Sequence, residues 1–289
     1  MLVFSMIHLL PGDPVQIMFA TSGGTGQDMA TFRHKLGLDE PIWLQYWHYL
    51  TNVLHGNFGV SITNEQPVLQ KIGDQLMPSV ELTIGGMVVA IVLGLGLGLI
   101  AGARPNSWVD SLATFISLLG VSIPGFLTAF FLILIFSLRL GWLPSVGTAG
   151  FDHLILPSVA LGLGYAAILT RLLRGGLIEI RSMEYIRAAR GRGVKSTRLL
   201  LVHMLRNALI PVVTFLPLQI GSMIGGAVII ENVFGRQGIG QLLVVSILSR
   251  DYPTVQGIVL IIAVTYVATN LIVDVCYGII DPRIAPHER

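Results

Sequence analysis

Charge is the scarcest property of this chain. Only 12% of its 289 residues are charged while 53% are hydrophobic, and the mean hydropathy is +0.75. Soluble domains carry roughly 25% charged residues, so a conventional water-facing surface is excluded. There is one cysteine, Cys276, which rules out an intrachain disulfide and any multi-cysteine metal cluster. It lies in an apolar run, where a small buried side chain is expected rather than a reactive thiol. A phosphate-cradling Gly-x-x-x-x-Gly-Lys-Ser/Thr loop is also missing. The nearest string, Gly193-Val194-Lys195-Ser196-Thr197, has valine where the glycine must be and follows no strand. His-Glu-x-x-His and Gly-x-Ser-x-Gly do not occur, and the seven histidines are scattered. Neither a metal centre, nor a bound cofactor, nor an enzyme acting alone is expected.

What the chain has instead is long apolar stretches. Five stand out: Ser79–Ala103, Ser111–Leu138, Leu154–Thr170, Asn207–Ile230 and Tyr252–Val273. Each is near or above the ~20 residues a membrane-spanning helix needs, and the ten-residue alternation of a membrane barrel is absent. The fold class is therefore all-α and polytopic. Met1–Leu10 is apolar but half a span long, and Pro11-Gly12-Asp13-Pro14 ends it. It has neither the basic leader region nor the small-residue cleavage site of a signal peptide. It reads as a piece that inserts only partway or, the favoured reading, as the second half of a truncated first span. That makes about six spans in a single transmembrane domain, residues 1–289.

Basic residues orient those spans. With the first running outward, segments 11–78, 139–153 and 231–251 lie outside. The inside then holds twelve of the eighteen Lys and Arg, nine of them between residues 171 and 206. This is the positive-inside pattern. In the outer segment, Pro41–Val53 carries Trp43, Tyr46, Trp47 and Tyr49. It reads either as an interfacial helix or as a small subdomain with an aromatic core.

Within the spans, Gly86, Ala90, Gly94, Gly98 and Gly102 recur every fourth residue, a stripe that lets helix backbones approach in lipid. Gly221 with Gly225 and Ser222 with Gly226 repeat the device. Pro124, Pro157, Pro211 and Pro217 each free a backbone carbonyl, for kinked packing or for a pathway. Asp274 is a rare carboxylate in the last apolar stretch, either near a pathway or at the interface.

The basic segment 171–206 can be no more than a topology determinant. Its pattern argues for more. Glu184–Ala189 is helix-prone, Gly191 and Gly193 interrupt, and Ser196–Asn207 forms a second basic helical stretch before Pro211. A short helix, a glycine turn and a return helix can dock in a groove on a soluble partner. A nucleic-acid-binding helix-turn-helix is out of place between two spans.

Two strings in this segment, Tyr185-Ile186-Arg187-Ala188-Ala189-Arg190-Gly191-Arg192-Gly193 and His203-Met204-Leu205-Arg206-Asn207-Ala208-Leu209-Ile210-Pro211, resemble the EAA loop of binding-protein-dependent ABC importer permeases. Ala188, Ala189 and Gly193 match at the family's spacing, and Arg187 stands where the eponymous glutamate would be. Leu10-Pro11-Gly12-Asp13-Pro14, Gly56-Asn57-Phe58-Gly59, Gly141-Trp142-Leu143-Pro144, Glu231-Asn232-Val233-Phe234 and Asp281-Pro282-Arg283 resemble the dipeptide, oligopeptide, nickel and glutathione branch. Gln237 departs from it, standing where that branch commonly has proline.

The resemblance implies a permease subunit in a bacterial or archaeal inner membrane. Its partners would be a second permease, two ATPase subunits and an extracytoplasmic solute-binding protein. A coupling helix would involve Glu184, Arg187, Ala188, Ala189 and Gly193. Glu231, Asn232, Asp251 and Asp274 are candidates for the pathway or outer gate. The expected cargo is a di- or oligopeptide, with glutathione or a nickel complex as the alternative. From a different class, an ion-coupled carrier would need paired ionisable groups at mid-membrane, and Asp274 is the sole candidate.

Overall fold

The computed structural model describes residues 39–280, with side chains described as far as residue 272. The proposed first span, the Leu10–Pro14 motif and the side chains of Asp274 and Cys276 lie outside those limits. Among the described residues every regular element is helical, apart from one isolated bridge between Val60 and Pro67.

After α1 (Ile42–Leu54) come α2 (Val68–Ala103), α3 (Trp108–Ser122) and α4 (Gly125–Leu132), which continues as a π-helical segment, Ile133–Arg139. Then follow α5 (Asp152–Arg181), α6 (Glu184–Gly191) and α7 (Ser196–Arg198), a π-helical turn Leu199–Met204, and α8 (Leu205–Ala208). The chain continues through α9 (Ile210–Val233), α10 (Ile239–Leu248) and α11 (Tyr252–Ile280). Helices α2, α5, α9 and α11 are each long and apolar enough to cross a bilayer. The pair Trp108–Ser122 and Gly125–Arg139 supplies a fifth span if counted together, bent by 106°.

That bend corrects the expected continuous stretch from Ser111 to Leu138. Proline disfavours the helical conformation in the residue before it, and Ile123 is accordingly extended, at φ −87° and ψ 121°. Pro124 then starts the next helix at φ −56° and ψ 139°. The other prolines are gentler: Pro211 sits at the start of α9, where a missing N–H costs nothing, and Pro157 and Pro217 stay inside their helices. A second correction concerns the basic segment. Its first residues, Arg171, Arg174 and Arg181, belong to α5, so the excursion between spans begins after Arg181.

The chain forms two compact units. The larger spans residues 78–237 and resumes at 265. Its packing rests on the small-residue stripe of α2. A Cβ on Gly94 would lie 2.7 Å from Leu169 Cβ, and one on Gly98 would lie 3.0 Å from the Thr170 carbonyl oxygen. Glycine there is a condition of contact between α2 and α5, and Thr170 Oγ1 uses that closeness to donate to the Gly94 carbonyl at 3.2 Å. One core joins Ala90, Leu169, Leu173 and Leu177 to Ile186, Leu199 and Met204. A second joins Leu82, Leu156, Leu161, Met223, Ile230 and Phe234.

Asp110 and Arg174 tie α3 to α5 by a two-pronged ion pair, 2.5 Å to Nε and 2.8 Å to Nη2. The carboxylate is nearly buried, and Ser107 caps the start of α3 through the Asp110 N–H.

Among the described residues, the smaller unit contains 39–77 together with 238–264. Val68, Ile72, Ile239 and Ile258 form its core. Helix α1 buries none of its residues, and Trp43 and Trp47 are 71% and 59% exposed. Tyr46 and Tyr49 on the same helix are partly buried.

Candidate coupling surface and outer networks

The excursion after α5 is built to present one short helix. The chain turns at Ser182 and Met183, whose N–H groups donate to the Glu179 and Ile180 carbonyls, and α6 starts with Glu184 in its first turn, favourable at the positive end of a helix. One side of α6 is an anchor: Ile186 is fully buried, and Ala189 packs against the same core. The opposite side is open. Glu184, Tyr185, Arg187, Ala188, Arg190 and Gly191 are all exposed.

Helix α6 ends by a definite mechanism. The Gly193 N–H donates to the Arg190 carbonyl at 3.0 Å and the Val194 N–H to the Ala189 carbonyl at 3.3 Å. This pair of bonds is the Schellman arrangement, which needs a left-handed residue after the cap. Gly193 supplies it at φ +78°, while Val194 packs on the core beside Ala189. Gly191, expected to share in breaking the helix, remains inside it. The return stretch is held to α6 by Asn207 Nδ2, which donates to the Tyr185 hydroxyl at 3.0 Å. The five residues singled out for coupling thus share one hairpin, with Arg187 and Ala188 outward and Ala189 inward.

The outer candidates are organised differently. Glu231, in the last turn of α9, is fully buried and accepts a hydrogen bond from Ser79 Oγ at 2.5 Å. Asn232 turns back on its own helix, donating to the Val228 carbonyl. Five residues further on from Glu231, the Arg236 N–H donates to the Glu231 carbonyl at 2.8 Å. The Arg236 guanidinium is 1% exposed and donates to the Pro78 carbonyl and Glu81. Glu81 itself is half-exposed.

Asp251 belongs to the smaller unit and is also fully buried. It accepts from Ser61 Oγ at 2.5 Å, Thr254 Oγ1 at 2.7 Å, the Ile62 N–H at 3.1 Å and Lys71 Nζ at 3.1 Å. Burial pushes its carboxyl pKa up, but these four donors outweigh burial and hold it below the ordinary carboxylate value. Neither buried acid is presented to solvent as a gate. Arg236, Ser61, Lys71 and Arg174 make buried or partly buried polar pairings that sequence reasoning missed. Their partners stand 64 to 190 residues away in the chain, so no local pattern announces them.

Several apolar helices long enough to span a bilayer, together with an exposed, capped helix between two of them, have the form of a transporter's membrane subunit. Comparison with known proteins agrees. Residues 94–286 match the family described as "Binding-protein-dependent transport system inner membrane component", and residues 1–83 match its N-terminal companion. The chain belongs to this family, the membrane-embedded permeases of ABC importers.

Among individual relatives, the chain is similar to the glutathione transport system permease protein GsiC of Shigella flexneri serotype 5b. The two are 43% identical over 283 residues, covering 98% of this chain and 92% of the relative. The proteins of the same name in Escherichia coli (strain K12) and Salmonella typhimurium (strain LT2) are each 42% identical with the same coverage. Among solved structures, the MetNI methionine ABC transporter in an inward-facing conformation superposes with a TM-score of 0.62. It is 18% identical, over 73% of this chain and 97% of that one. An amino acid ABC transporter crystallised with histidines superposes at 0.55 with 16% identity, over 74% and 94%. Both support the fold.

The chain is accordingly a multi-pass inner-membrane transporter subunit and not an enzyme; ATP is hydrolysed by separate ATPase subunits. Permeases of this family work with those subunits, a binding protein and, in general, a second permease.

Proposed function

We propose that this chain forms half of the membrane pathway of a glutathione importer and receives the ATPase stroke through α6. The observation that supports the coupling role is the asymmetry of that helix. Ile186 and Ala189 root it in the core of the larger unit, while Glu184, Arg187 and Ala188 are left exposed. A short helix rooted in this way transmits a push as a rigid body, and its open face suits a helix-in-groove contact with an ATPase subunit. ATP binding by two ATPase subunits would move α6, and through the shared core α5 and α9, between inward- and outward-facing arrangements.

The substrate reading rests on the relatives. Over 98% of the chain they are glutathione permeases by name, which favours glutathione over the di- or oligopeptide first expected. Glutathione is itself a small peptide-like molecule, so the branch-level resemblance and the relatives point to one chemical class. In the outer segment 231–251, the buried Glu231 and Asp251 are proposed to brace the region that meets the binding protein.

The test is uptake of labelled glutathione into vesicles containing the complete complex with its binding protein. Accumulation that requires ATP is expected. Accumulation of dipeptides without glutathione would overturn the substrate reading. Uptake that persists without nucleotide and collapses with the proton gradient would overturn the coupling reading.

A further inference from the structure

Two charged residues stand where glycine would fit with less strain. Among the described residues, three non-glycine residues have left-handed backbone: Glu65 at φ +56°, Asn106 at φ +62° and Arg250 at φ +55°. Asparagine tolerates this region, whereas glutamate and arginine meet a steric cost there that glycine avoids.

For Arg250 the comparison lies within the chain itself. Arg250 follows α10, where its N–H donates to the Ile247 carbonyl at 3.1 Å and the Asp251 N–H to the Ser246 carbonyl at 2.8 Å. The same pair of bonds ends α6, where the left-handed position is Gly193. One cap thus carries glycine and the other arginine. A cation is favoured at a helix C-terminus, but that attraction is weaker than the left-handed penalty, and any residue of the last turn can supply it.

Glu65 sits in the turn between Val60 and Pro67, where its N–H donates to the Ser61 carbonyl at 3.0 Å. It lies in the same compact unit as Arg250, and both border one buried carboxylate. Asp251 directly follows Arg250, and it accepts from Ser61 Oγ and the Ile62 N–H at the base of the Glu65 turn. The Glu65 and Arg250 side chains are both exposed. Neither has an ion pair or a side-chain hydrogen bond among the described residues. Strained backbone persists where its surroundings over-determine it, and it gathers at sites that bind or switch. Here one clamp fixes two opposite charges, on segments that the positive-inside pattern puts outside, and leaves both without an internal partner.

We propose that Glu65 and Arg250 are docking points for the extracytoplasmic binding protein, meeting a basic and an acidic side chain on its surface, with Asp251 as their positioning residue. The proposal rests on the importer reading, since transport in this family depends on a binding protein, and it names the residues of this chain which that protein reads. What the two positions supply is charge, because glycine keeps either turn and loses only the side chain. Complementary charges across an interface steer encounter and fix register, and two of opposite sign set an orientation.

The test measures the Kd of the binding protein for the complete transporter in lipid nanodiscs. Glu65→Gly and Arg250→Gly are each expected to keep or raise the thermal midpoint, yet to raise that Kd about fivefold at low salt. Glu65→Asp and Arg250→Lys keep the charge and are expected to stay within about twofold of the parent. Asp251→Asn is expected to weaken binding at least as much as either glycine variant, since it loosens both points. Added salt is expected to weaken the parent more than the double glycine variant. Glycine variants that bind as tightly as the parent would overturn the proposal. So would glycine variants with a clearly lower thermal midpoint, which would make the two charges structural. A charge effect seen only with anionic lipid in the disc, as contact with headgroups would give, also overturns it. A parent complex that fails to bind the binding protein would overturn the importer reading itself, and this proposal with it.

Discussion

At Gly193 the backbone makes a demand that side chains cannot. Its φ of +78° is left-handed, yet a Cβ there would meet nothing within 4 Å. Any penalty on substitution is therefore conformational, about 1–2 kcal/mol for an ordinary L-residue. Asparagine tolerates this region better than alanine does. Gly193→Ala is thus expected to lower ATP-dependent uptake while leaving the chain in the membrane, and Gly193→Asn to recover much of it. Equal activity in all three would show that the cap does not matter for coupling. Asp251 makes the opposite case, where everything is in the side chain. Because its folded pKa is depressed, it adds stability above the ordinary carboxylate pKa, about 3.9, and loses that contribution as pH falls through the lower folded value. The thermal midpoint should therefore show no Asp251-linked change from about pH 8 to pH 5, well above that range. Asp251→Asn is expected to cost about 2 kcal/mol, since it turns one acceptor oxygen into a donor facing the hydroxyls and Lys71. A midpoint unchanged in Asp251→Asn would contradict the bracing role.

At the scale of elements, the stripe along α2 yields a sharper contrast than its spacing implies. Gly94 is held against Leu169 and Ala166, whereas Gly96, two residues on and around the helix, has nothing within reach of an added Cβ. Gly94→Ala is expected to destabilise the complex by about 1–3 kcal/mol through overpacking. Gly96→Ala should be neutral or slightly stabilising, by helix propensity alone. Thermal stability in detergent measures both, and equal shifts would mean that α2 does not approach α5 as described. The stripe was legible because spacing alone puts Gly86 to Gly102 on one face. The hairpin was legible because Glu184–Ala189 and Ser196–Asn207 are each helix-prone around a glycine turn. The break at Ile123 was only half legible: Pro124 marks a disturbance, but hydropathy runs unbroken from Ser111 to Leu138 and cannot distinguish a kink from a 106° bend.

For the whole molecule, spans follow from hydropathy because lipid penalises every unpaired backbone group, which makes composition a nearly sufficient guide. The polar brackets do not follow. Arg236 counts as an exterior cation by position, yet it is 1% exposed against Glu81 and the Pro78 carbonyl. Asp110 and Arg174 lie 64 residues apart with nothing local to pair them. Such contacts come from packing, and only coordinates reveal them. The central claim is that α6 is where the ATPase stroke enters this chain, and the most direct measurement is a contact map from Ala188, exposed on its open face. In a Cys276→Ser background, Ala188→Cys carrying a short photo-crosslinker is expected to attach the chain to an ATPase subunit, with a yield that changes when ATP binds. Crosslinking to lipid or to the solute-binding protein, with no ATPase adduct in any nucleotide state, would contradict the account.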